Sequence, residues 1–158
     1  MKPPALEAVR GFVEREARLL DDCRWAEWNA LFAEDGVYWM PASPRQPDAV
    51  NHVSLIHDTP LLRAVRIERF ANANAFSLQP RPRAVRMVAG VAIESADAGI
   101  VIARSTLFAV QYADERKTIF AGHVLHHLVS DGESFRIRLK RVELIDCDGA
   151  QNDIHFYL

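Results

Sequence analysis

Cysteine is scarce in this chain. The only two, Cys23 and Cys147, form no C-x-x-C pair and no zinc-ligand spacing, which argues against a disulfide framework or a metal knuckle and fits reduced cytosolic thiols. Long apolar runs are also lacking. Nothing approaches the length of a membrane-spanning helix, and Met1-Lys2-Pro3-Pro4 leads straight into a charged helical pattern without a signal-peptide core, so a cytoplasmic location is expected. Neither sign of charge dominates either, with 19 Lys and Arg against 21 Asp and Glu. A formal net charge of −2 gives no electrostatic footprint for nucleic acid or an anionic membrane. The local arginines, Arg63, Arg66 and Arg69 and then Arg81, Arg83 and Arg86, fit solvated faces or ion pairs within an assembly. There is no G-x-S-x-G elbow and no phosphate-binding loop.

What is present suits one domain over residues 1–158, 49% hydrophobic and 25% charged, long enough to build a core without staples. Leu6, Val9, Val13, Ala17 and Leu20 recur at helical spacing, with Glu7, Arg10, Glu14, Arg15 and Arg18 mostly off that stripe. Asp21-Asp22 interrupts this helix. Asp22 is placed to cap a second helix of about three turns carrying Trp25, Trp28, Leu31 and Phe32, which Glu34-Asp35-Gly36 ends. Val37 to Met40 suits a strand stopped by Pro41, and residues 41–51 a loop. Thr59-Pro60 predicts a capped third helix running to about Phe70, and residues 71–83 a second long loop. Four β-rich stretches follow, about 84–95, 99–113, 117–130 and 134–146, punctuated by Ala98-Gly99, Asp114-Glu115 and Asp131-Gly132. Such short gaps predict antiparallel hairpins, and a last short strand is expected over Ile154 to Tyr157. Helices first and a long sheet afterwards is an α+β pattern.

Several motifs in this order resemble the small (β) subunits of aromatic-ring-hydroxylating dioxygenases. One runs from Glu16-Ala17-Arg18-Leu19-Leu20-Asp21-Asp22 through Trp25-Ala26-Glu27-Trp28 and Leu31-Phe32-Ala33-Glu34-Asp35 to Tyr38-Trp39-Met40-Pro41. Others are Val53-Ser54-Leu55-Ile56-His57-Asp58 with Leu61-Leu62 and Arg66-Ile67-Glu68-Arg69, then Phe120-Ala121-Gly122 with His126-His127-Leu128, and Lys140-Arg141-Val142 through Asn152 to Phe156-Tyr157-Leu158. Where many relatives carry a Pro-Ser-Arg-Thr-like turn, this chain has Gln79-Pro80-Arg81-Pro82-Arg83-Ala84, keeping an arginine at Arg83 but neither serine nor threonine.

The resemblance implies the cone-shaped fold shared with nuclear transport factor 2 and ketosteroid isomerase: three amino-terminal helices on a strongly bent, mostly antiparallel sheet. It also implies a structural subunit. A homotrimer of β subunits would dock catalytic α subunits (α3β3) that hold a Rieske iron–sulfur cluster and a mononuclear iron. The rival on the same fold is a free-standing isomerase or dehydratase of a small cyclic substrate, which needs a deep cup with a buried acid near Tyr38 or His57.

The residues support that division of labour. A Rieske centre needs two Cys and two His, and Cys23 and Cys147 are far apart with no Cys-x-His pair. On a strand, His123 and His127 face one way and His126 the other; the first two are about 13 Å apart by strand rise, too far to share a metal. No metal or cofactor site is therefore expected in this chain. His57-Asp58 is the most tempting catalytic pair, but neighbours on an extended segment point opposite ways, and Asp58 fits the turn before Thr59-Pro60. Asp35 with Tyr38 echoes the carboxylate and phenol of cone-fold isomerases, against a plain turn role for Asp35. Trp25, Trp28 and Trp39 fit core and interface anchors better than a ligand pocket. No catalytic residue is expected. Contacts with partner subunits are expected at the Trp-rich second helix, the two long loops and Asp153 to Leu158.

Overall fold

A computed structural model describes residues 4–72 and 81–158. The helices α1 (Leu6–Asp21) and α2 (Trp25–Asn29) come first, followed by β1 (Phe32–Pro41), β2 (Ser54–Asp58) and α3 (Pro60–Ala71). Four long strands complete the chain: β3 (Arg83–Asp97), β4 (Ile100–Ala113), β5 (Arg116–Asp131) and β6 (Ser134–Leu144). The six strands form one sheet in the order β2-β1-β6-β5-β4-β3, parallel at β1–β6 and antiparallel elsewhere. This is the α+β cone expected from the sequence. Register shifts in β3 around Ala89 to Ser95, between β5 and β6 at His127/Leu128, and at both ends of β1 insert unpaired residues that bend the sheet. The inner face of the sheet then wraps around the helices.

The hairpins follow from local backbone chemistry. Ala98-Gly99 and Asp114-Glu115 have positive φ at both residues, the two-residue turn whose twist matches its flanking strands. Between β5 and β6 the loop is Gly132-Glu133, with positive φ at Gly132 alone. Thr59 caps α3 as predicted, its Oγ1 accepting from the Leu62 N–H at 3.4 Å, with Pro60 at the first helical position.

Three expectations are corrected. The second helix is only five residues long, because Leu31 O already accepts from Ile137 N–H at 2.8 Å and Phe32 to Gly36 enter a bulged strand. Asp22 closes α1 instead of capping α2, whose N-cap is Arg24; the positive φ of Cys23 makes the break. Residues 154–157 form no strand. There the backbone bonds to a side chain in place of a ladder: Gln111 Nε2 donates to Asp153 O, and His155 N–H donates to Gln111 Oε1, each at 3.1 Å. Most of the loop expected at 71–83, residues 73–80, lies outside the described residues, as does Met1 to Pro3.

The core lies between α1, α2 and the inner face of the sheet, where Val9, Phe12, Val13, Leu20 and Trp28 meet Leu107, Val124, Leu128, Ile137 and Val142. Two glycines let backbones approach closely: a Cβ at Gly36 would overlap Ile137 O, and one at Gly122 would overlap the Glu143 carbonyl. Because backbone cannot swing aside as a side chain can, Gly122→Ala is expected to lower stability by about 1–3 kcal/mol in urea unfolding.

Candidate functional site

The interior of the cone holds ionisable groups on an otherwise apolar core. Glu16 extends from α1 and is 2% exposed. Its Oε1 accepts from Trp28 Nε1 at 2.6 Å and from Lys140 Nζ at 2.5 Å, while Oε2 lies 3.4 Å from His126 Nε2. Four elements, α1, α2, β5 and β6, therefore converge on one carboxylate. Burial pushes this carboxyl up, but the Lys140 ammonium and the His126 ring more than reverse the effect and hold it well below the ordinary range, so Glu16 is ionised. Burial draws both His126 and Lys140 below their usual values, with Glu16 opposing in each case. His126 Nδ1 and Ser105 Oγ, near each other on the inner face, are buried and have no hydrogen-bond partner among the described residues.

A second cluster lies at the end of β2. Asp58 accepts from Arg66 Nε at 2.6 Å and Nη2 at 3.0 Å, and from the Tyr157 hydroxyl at 2.6 Å. Burial, reinforced by that carboxylate, raises the Tyr157 phenol and keeps it protonated. The fully buried Tyr38 ring stands between the clusters, edge-on to Trp28 and Tyr157, and its oxygen accepts from Leu158 N–H at 3.1 Å. Arg86 reaches across from β3: Nη1 donates to Asp21 Oδ1 at 2.7 Å, and Nη2 donates to Tyr157 O. Both buried carboxylates are thus bound to cations and donors, and neither stands free as a base.

The residues singled out in the sequence fare differently. His57 is exposed and Asp58 buried, on opposite faces as the extended segment requires. Asp35 is exposed on β1, 3.6 Å from Arg138, while Tyr38 points into the core, so the two do not converge. His123 and His127 lie on the outer face of β5 and His126 on the inner. Among the described residues no three His, Cys, Asp or Glu side chains gather closely enough to hold a metal ion. Trp25 packs on Phe70 and Phe156, and Trp28 on Phe32, Tyr38 and Tyr157. Phe156, Tyr157 and Leu158 are buried as well. The contact surfaces expected at the second helix and at Asp153 to Leu158 are therefore corrected in part, since their aromatic anchors are consumed by the chain's own core. Reading by stripe missed Glu16 and Lys140. The signal for Glu16 was an acid three residues after Val13 and four before Leu20, squarely on the apolar face of α1.

Two outcomes follow from this burial. Glu16→Ala leaves Lys140 buried without its counter-ion and is expected to cost about 3–5 kcal/mol in urea unfolding. Stability should also fall with acid. His126 and Glu16 both bind protons less readily folded than unfolded, so their contributions are present above the unfolded values, 6.5 and 4.5, and are lost as pH falls below them. Melting temperature measured from pH 8 to pH 4 should begin to drop near 6.5 and fall further below 4.5.

Similarity to known proteins agrees with this architecture. Residues 15–148 match the family model described as the ring hydroxylating beta subunit. The small subunit of 2-halobenzoate 1,2-dioxygenase from Burkholderia cepacia is 36% identical over 90 residues, 54% of this chain and 54% of that protein, so the matched stretch spans about half the length of that relative. The benzoate 1,2-dioxygenase β subunit of Acinetobacter baylyi is 24% identical over 146 residues, covering 89% of this chain and 86% of its own. The crystal structure of the benzoate 1,2-dioxygenase β subunit from Burkholderia mallei superposes with a TM-score of 0.79 at 26% identity, over 99% of this chain and all (100%) of that one. The chain belongs to the family of ring-hydroxylating dioxygenase β subunits.

Proposed function

We propose that this chain is the structural β subunit of a multicomponent aromatic-ring-hydroxylating dioxygenase in aromatic compound catabolism. It forms a homotrimer and supports catalytic α subunits in an α3β3 assembly in the cytoplasm. The redox groups belong to the α subunit, and this chain carries no catalytic residue or cofactor of its own. The observation that carries this reading is an apolar patch on the outer face of the sheet. Strand register sets two rungs side by side: Met87–Phe108–Ala121 and Val85–Val110–Ile119, with Tyr112 beside them. Val85, Met87, Phe108, Tyr112 and Ile119 are all exposed, Met87 at 63%. A contiguous apolar surface across three strands marks an association face. A ring of three needs two different patches on each subunit. A second exposed apolar face, Leu61, Leu62 and Val65 on α3, is available for a further subunit contact.

The free-standing isomerase or dehydratase is not favoured. It needs an acid facing an open cup, whereas Asp58 is bound by Arg66 and the Tyr157 ring occupies the space beside it.

The assembly reading is tested by light scattering of the purified chain alone and with a co-expressed Rieske α subunit. A trimer that captures α is expected. The double substitution Met87→Glu and Phe108→Glu puts charge on the patch without touching the core, and should yield monomers with an unchanged circular dichroism spectrum. A parent chain that is monomeric and ignores the α subunit would overturn the reading.

A further inference from the structure

The space that the cone fold encloses is filled here by a ring of the chain itself. Tyr157 stacks on Trp28, with centroids 4.6 Å apart and planes at 26°; Tyr38 meets it at 4.7 Å and Phe70 at 5.7 Å, both nearly edge-on. Its hydroxyl donates to Asp58 Oδ2, and both Asp58 oxygens are oriented by the fork of Arg66. The walls of this box come from regular structure: Trp28 from α2, Tyr38 from β1, Asp58 from the end of β2, Phe70 and Arg66 from α3. The occupant does not. Tyr157 arrives on the irregular segment after β6, which is fastened to the sheet by side-chain bonds from Gln111, Arg86 and Tyr38.

A flat aromatic slot with a single oriented acceptor at one end is the arrangement that binds a small phenol: apolar walls contribute area, and one polar group sets orientation. We propose that the box of Trp28, Tyr38, Phe70 and Asp58 is a phenol-recognition site whose resident ligand is the Tyr157 side chain. The segment after β6 is then an internal plug. Selectivity follows from Asp58. A neutral phenol donates to the carboxylate, toluene has nothing to donate, and ionised benzoate offers only acceptors to an acceptor. The proposal is independent of the assembly reading, which rests on the opposite face of the sheet.

The test uses the full chain carrying Tyr157→Gly, with 4-methylphenol as probe because its methyl, ring and hydroxyl reproduce the lost side chain from Cβ outward. The variant should melt below the parent. 4-Methylphenol should raise its melting temperature and bind with one-to-one stoichiometry in calorimetry, about tenfold or more tighter than toluene, since a hydrogen bond to a charged acceptor is at stake. Benzoate should not bind, and neither should 4-methylphenol bind the parent, whose slot is full. If the variant does not fold unaided, refolding from urea with 4-methylphenol should recover soluble protein where toluene does not. Equal binding of toluene and 4-methylphenol, equal binding by the parent, or neither binding nor refolding rescue would overturn the proposal. Light scattering of the same samples reads the assembly separately, so the two ideas fail independently.

Discussion

Glu16 is a carboxylate in a place where a carboxylate is costly, and much of the cone is arranged around it. It lies on the apolar stripe of α1, and the three donors that satisfy it come from α2, β5 and β6. A charge removed from water must be matched by charge and hydrogen bonds of good geometry, or the fold cannot hold it. Lys140 supplies the charge and Trp28 and His126 add the remaining contacts, so that helix and sheet meet in one relative position. An all-apolar contact would tolerate sliding; this one does not.

The same logic extends outward. Asp21, at the end of α1, takes the buried Arg86 from β3, and Arg86 in turn donates to Tyr157 O. Arg63, buried on α3, donates to Asn29 Oδ1 and Gly36 O at 2.7 Å each and lies over the Phe32 ring, tying α3 to α2 and to the bulged start of β1. Fixed polar contacts thus run from α1 to the segment after β6. They leave the interior occupied and its acids paired, and they leave the outer face of the sheet with apolar area to spare.

The two faces of the sheet divide a filled interior from an apolar exterior. Among the described residues the buried acids are Asp58 and Glu16; Asp58 holds a guanidinium and a phenol, Glu16 an ammonium, an indole and an imidazole. The exposed positions on β3, β4 and β5 alternate with these inward ones at a period of two, so one strand pattern builds the filled interior and the sticky exterior together.

Much of this was legible in the sequence, because periodicity and turn chemistry are local. The stripe of α1, the Thr59-Pro60 start of α3, the four long strands and the opposed faces of His126 and its neighbours His123 and His127 all follow from spacing and backbone preference. The family followed from motifs spread along the whole chain. Contacts between distant residues were another matter. Glu16 and Lys140 are 124 positions apart, and Asp58 and Tyr157 99 apart; no local pattern pairs them. Trp25, Trp28 and Tyr157 have the same aromatic character whether they anchor a partner or fill a core, and only the closing of the sheet put them inside. The sequence by itself determined α1, the start of α3, the four long strands and their order, since those depend on neighbours along the chain. The tertiary structure decided which acids are paired, what fills the cone and which apolar face is left exposed, because those depend on where a bent sheet brings its far ends.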